Sequence, residues 1–173
     1  MKVSTVLLAA TSAVSVSASP SWIQGNQAVI NEDLKVPGDN PLYFCADPKD
    51  YILDIENVDL DPNPPLPYVL RSGQTLSITA KGDFQKQVEE GSKMHLTVRY
   101  NNLITLINQD ADTCETVKKA DLECPLKKGE MKLTKDVDLP QQIPPGKYNV
   151  KAEVKTKDGD DITCLTAEIT FHR

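Results

Sequence analysis

The chain has 173 residues, with 25 acidic against 19 basic side chains and a formal net charge of -6. That length fits one domain behind a targeting segment. The acidic balance excludes a nucleic-acid partner, which needs a basic footprint, and excludes a constitutive grip on anionic membranes, though brief contact through local lysines stays open.

The chain opens with Lys2, an apolar run from Val3 to Ala10 and the small-residue pattern Val16-Ser17-Ala18. This predicts a secretory leader over residues 1–18, too short to span a bilayer. The mature protein is therefore expected to be soluble and exposed to an oxidising compartment. Residues 19–40 are polar, lack a sustained period and hold Trp22, the single tryptophan. They read as a flexible extension or pro-segment. The folded domain is expected over 41–173.

From Pro41 onward the pattern is β. YILDIENVDL (51–60) is rich in β-formers and runs into DPNPPLPY, a proline run that no central strand accepts. Strict alternation then recurs. Leu76, Ile78 and Ala80 share one face; so do Met94, Leu96, Val98 and Tyr100. The same holds for Met131, Leu133, Val137 and Leu139, where Lys135 interrupts the apolar face once. Tyr148, Val150, Ala152 and Val154 form a further set, and Leu165, Ala167, Ile169 and Phe171 the last. CETVKKADL is the only helical candidate, a single turn. Short half-wet strands between Gly, Pro and Asp turns predict an all-β, two-sheet sandwich.

Two connections are unusual. NNLITLIN (101–108) and Leu139–Gly146, with Ile143 among prolines, are apolar where connecting segments normally run polar. Between them lies a short charged loop bracketed by Cys114 and Cys124. Four cysteines in a secreted chain favour two disulfides and leave three pairings open. The pairing expected is Cys114–Cys124, a rigid corner, with Cys45–Cys164, which closes a loop of about 120 residues worth roughly 4–5 kcal/mol in the chain-entropy picture. Cys164 alternates against Leu165, Ala167 and Ile169. A bond through it should lie outside the sandwich and leave the space between the sheets free.

Chemistry is sparse. His95 falls on a predicted wet face and His172 is penultimate, neither near a nucleophile elbow or glycine-rich loop. No C-x-x-C or finger spacing supports a metal, and no cofactor motif is present. Catalytic residues, metal and cofactor are therefore all expected to be none. What remains is binding. By pattern alone a filled core is the ordinary expectation for buried apolar strands, which would make the chain a secreted recognition module. A sandwich that instead keeps an apolar gap should be occupied, because an empty one is costly.

NPLYFCADPKDYILDI, DADTCETVKKADLECPLKKGEM, DLPQQIPPGKYNVKAEV and DITCLTAEITF closely resemble the fungal phosphatidylglycerol/phosphatidylinositol transfer proteins. These belong to the ML lipid-recognition family, with the Niemann–Pick type C lysosomal sterol carrier and the group 2 mite allergens. The resemblance covers about residues 40–173. It implies an immunoglobulin-like sandwich with an apolar cavity between the sheets holding a phospholipid or sterol, transfer of that lipid between membranes, no catalysis, and the same two disulfides. By position it implies mouth residues Ile104, Leu106, Ile107 and Ile143. Leu96, Val98, Leu133, Val150 and Val154 are the inward candidates for lining the gap. Lys118, Lys119, Lys127 and Lys128 could steer towards anionic headgroups or be ordinary solvated lysines. Transient membrane contact, a lipid ligand and a monomeric state complete the expectation.

Overall fold

The computed structural model describes residues 32–62 and 69–172. The expected leader, Trp22 and most of the proline run lie outside these residues. Among these residues nine strands and one short α-helix follow in order: β1 (Leu42–Phe44), β2 (Leu53–Asp61), β3 (Val69–Arg71), β4 (Thr75–Phe84), β5 (Lys93–Tyr100), β6 (Ile104–Asp112), α1 (Thr113–Lys118), β7 (Gly129–Asp138), β8 (Gly146–Lys155) and β9 (Asp161–His172). The larger sheet runs β1-β9-β8-β5-β6, with β3 also pairing β9. The smaller runs β2-β4-β7. Every pair is antiparallel except β3–β9.

Register fixes which side chains look inward. In the larger sheet Val98 pairs with Val150 and Leu96 with Ala152. Val150 in turn pairs with Ala167, and Ala152 with Leu165. In the smaller sheet Ile78 pairs with Lys135 and Ala80 with Leu133, while Val58 meets Ala80 and Leu60 meets Ile78. Each strand thus gives its apolar parity to the interior, as period-two alternation requires.

The buried side chains form two clusters rather than one. The larger holds Val36, Phe44, Ile52, Leu53, Ile55, Val58, Phe84, Val88, Leu126 and Ile162. The smaller holds Leu70, Leu76, Tyr148 and Phe171. In the smaller, the Tyr148 ring meets Tyr100 edge-on at 5.2 Å and Phe171 at 5.3 Å, separations typical of favourable aromatic pairs.

Both disulfides form, Cys45–Cys164 and Cys114–Cys124. Cys164 pairs across with Glu153, on the face opposite Leu165, so the bond lies on the outer side as alternation demands. It is nonetheless buried and joins the larger cluster with Ile162 and Tyr51.

Two expectations are corrected. The apolar run at 101–108 is not a connection. Asn101 and Asn102 adopt positive φ (48° and 60°), and Leu103 N–H donates to Tyr100 C=O at 3.1 Å. That is a tight hairpin turn of the positive-φ kind asparagine favours, inside the three-residue connection 101–103, and Ile104 onward forms edge strand β6. Nor does the ordered fold begin at Pro41. Val36 is fully buried. Lys35 bridges Tyr43 at β1, while Val58 N–H donates to Pro37 C=O and Leu60 N–H to Asp39 C=O on β2. Residues 35–43 therefore lace the β1 edge of one sheet to the β2 edge of the other.

Asn40 is the knot in that lacing. Its Nδ2 lies 2.8–3.3 Å from the carbonyls of Val36, Pro37 and Val58, and its Oδ1 accepts from Leu42 N–H at 2.8 Å. Asn40→Ala strands buried polar groups, and should lower unfolding free energy by about 2 kcal/mol. Urea denaturation of the variant beside wild type checks this.

Candidate functional site

Between the two clusters the inward-facing side chains are not sealed. Leu96, Val98, Val150, Ala152 and Val154 on the larger sheet are only partly buried, as are Ile78, Ala80 and Leu133 on the smaller. A well-packed interior leaves few voids. Ile78, Ala80 and Val154 sit at the margin of the larger cluster and Val98 at that of the smaller, and the surface they keep leaves contact between the sheets incomplete along the strip. The expected lining residues Leu96, Val98, Leu133, Val150 and Val154 all fall on this strip. Ile78, Ala80 and Ala152 were legible by the same alternation.

One end of the strip carries the apolar surface. Leu103 is 87% exposed, Ile104 56%, Leu106 53% and Val137 39%. A bulge makes this possible on β6. Val98 pairs with Ile107 and Arg99 with Thr105, leaving Leu106 as the extra residue. Bulges of this kind are common at sheet edges. Ile104 and Ile107 keep the inner register opposite Tyr100 and Val98.

The second connection is tied to the same end. Tyr100 OH donates to Pro145 C=O at 2.9 Å and Tyr148 OH to Pro144 C=O at 2.8 Å. Ser72 OH donates to Ile143 C=O at 3.1 Å. Gly146 sits against the Tyr100 ring, where an added Cβ would collide with Cε2, so no side chain fits there. Leu139 and Ile143 pack against the smaller cluster. The structure thus brings Ile104, Leu106, Ile107 and Ile143 to one end.

The four expected steering lysines are all exposed but do not accompany that end. Lys127 and Lys128 precede β7 at Gly129, whereas Val137 lies near its far end. Ten residues of strand separate the ends by roughly 30 Å. Lys118 closes α1, and Lys119 follows it on the loop to Cys124.

The outer face of the larger sheet holds a shallow groove lined by Lys93, His95, Asp110, Glu153 and Lys155. His95 Nδ1 lies 2.6 Å from Asp110 Oδ1, and Nε2 2.9 Å from Asn108 Oδ1. Its protonated form satisfies both oxygens, and the hydrogen bond to the Asp110 carboxylate, the largest influence, raises it above the ordinary histidine value. The histidine joins β5 to the edge strand.

The sequence profile of the ML domain matches residues 39–171. The chain belongs to the ML domain family. Among curated ML relatives, a phosphatidylglycerol/phosphatidylinositol transfer protein of Aspergillus fumigatus is 60% identical over 150 residues, covering 86% of this chain and 82% of that one. Its namesake in Pyricularia oryzae is 48% identical over 177 aligned positions, covering 100% and 94%. A crystal structure of a Niemann-Pick type C2 protein from Japanese carpenter ant shares the fold, with a TM-score of 0.55 at 13% identity, over 76% of this chain and 98% of that one.

A histidine raised in the folded state adds stability that is full below the unfolded value, about 6.5, and fades as pH rises through the folded value. His95→Gln should therefore destabilise the protein at pH 5.5 and change little at pH 8.5. Urea midpoints at the two pH values test this.

Proposed function

We propose that the chain is a carrier that holds one phospholipid or sterol between its sheets and moves it between membranes, without making or breaking a bond. The observation that carries this reading is the unsealed aliphatic strip between two separate core clusters. Membership of the ML family and the names of the relatives, phosphatidylglycerol/phosphatidylinositol transfer protein, support a lipid as the guest.

Leu96, Val98, Leu133, Val150 and Val154 hold the hydrocarbon. Each Å² of apolar surface withdrawn from water gains about 25 cal/mol. A lipid in a bilayer is already out of water, so loading is an exchange near balance. It requires contact between the mouth and the membrane surface. Leu103, Ile104, Leu106 and Ile107 on one side, with Ile143 on the other, make that contact as a grouped apolar patch, the kind of surface that marks an interaction site. The net charge of -6 suits brief contact over anchoring. The protein acts as a monomer, and its two disulfides support an oxidising compartment, the vacuole lumen or the exterior.

Solvent extraction and mass spectrometry of the purified protein should recover lipid in about equimolar amount, as one site requires; lipid-free protein that loads none from vesicles would overturn the reading. Val150→Phe adds bulk to the strip, and should reduce bound lipid several-fold while the fold, read by circular dichroism, is kept. Leu106→Asp and Ile143→Asp put a charge at the mouth, and should slow vesicle-to-vesicle transfer about tenfold or more, given the cost of placing a charge against lipid. Unchanged rates would put the opening elsewhere.

A further inference from the structure

The two sides of the sandwich differ. Residues 35–43 hydrogen-bond β1 to β2 along one side. The other side is bounded by edge strands β6 and β7, joined through α1 and the Cys114–Cys124 loop. Lys135 lies on that second side. Its register partner is Ile78, and Leu133 and Val137 flank it on the inward parity of β7. Among the described residues it is the one charged side chain in inner-face register on either sheet. Gln109, opposite Leu96 on β6, is the polar residue in that register on the facing edge strand.

An ammonium on an aliphatic face is unfavourable unless it reaches water or a partner. Lys135 Nζ reaches Asp121 Oδ2 at 3.0 Å, on the tip of the disulfide loop, with 37% and 80% of the two side chains exposed. Asp121 is held at positive φ (60°). Ion pairs this exposed contribute little and exchange readily. The pair therefore spans the seam between β7 and the loop as a weak contact beside the hydrocarbon strip.

We propose that Lys135 is the receptor for the phosphodiester of an anionic phospholipid, whose oxygens take the place of the Asp121 carboxylate while the acyl chains enter between the sheets. This rests on the carrier reading and adds to it a residue and a preference. A phosphodiester offers the same acceptor chemistry as a carboxylate, and ammonium-to-anion hydrogen bonds are the strong class. A sterol has no such group. In phosphatidylcholine the choline ammonium offsets the phosphate charge. Lys135 thus favours anionic lipid, and Asp121 holds the amine when no anion is present.

The test is competitive loading of full-length protein from vesicles of equal phosphatidylglycerol and phosphatidylcholine, with bound lipid counted by mass spectrometry. Lys135→Met should lower the phosphatidylglycerol-to-phosphatidylcholine ratio about tenfold, leave ergosterol loading unchanged, and melt like wild type. Lys135→Arg should restore the ratio, and Asp121→Asn should raise it. Excess inorganic phosphate should leave the wild-type ratio intact; its collapse would mean that the amine takes free phosphate. If wild type loads no lipid, the carrier reading falls. If wild type loads both lipids and Lys135→Met keeps the same ratio, only the role of Lys135 falls.

Discussion

The structure depends on how its two sheets are held: they are joined at the ends and along one side, and kept apart in the middle. The larger cluster around Val36, Ile55, Phe84 and Ile162 fills one part of the interior, and the Tyr148–Phe171 cluster another. The strip between them is aliphatic but only partly buried: Ile78, Ala80 and Val154 pack against the larger cluster and Val98 against the smaller, and accessible surface remains along it. Protein interiors are dense because dispersion and the hydrophobic effect both reward closure. A stretch that stays open needs supports on either side, and here the clusters, the laced β1–β2 side and the two disulfides supply them.

The supports also assign the chain its directions. Cys164 takes the register opposite Leu165, and the crosslink that joins the first strand to the last is part of the larger cluster and not of the strip. The lacing by residues 35–43 closes one side with main-chain hydrogen bonds. Exposed aliphatic residues gather on and near the other side's edge strands, at the end where Tyr100 and Tyr148 anchor the β7–β8 connection. The exposed aliphatic end and the seam follow from which edges the backbone has already satisfied.

Much of this was legible in the sequence, and the failures have physical reasons. Alternation in 75–80, 93–100, 131–139, 147–155 and 165–171 places five strands and their inward faces, because a sheet with one wet side imprints period two on its residues. The same alternation could not distinguish a gap from a packed core, since an inward Val150 reads the same whether or not the opposite sheet touches it. NNLITLIN reads as a loop because its apolar residues fall where a connection is expected. Asn101-Asn102 was the missed signal: two residues tolerant of positive φ between β-forming runs mark a hairpin. Docking of residues 35–40 rests on one valine and one asparagine in a polar stretch, and no period reveals a segment held by single contacts. Lys135 was visible as a break in a stripe, but its partner Asp121 lies across a disulfide loop that sequence separation does not place.

The lacing along β1 and β2 has a mechanical implication. Two plates stitched down one margin and only lightly joined at the other behave as a book does on its spine. Added thickness is taken up by a change of angle, largest at the unstitched margin and smallest at the stitches. A thin guest and a thick one then ask for different degrees of splay instead of different arrangements of side chains, and Val36 and Asn40, at the spine, are where that leverage is borne.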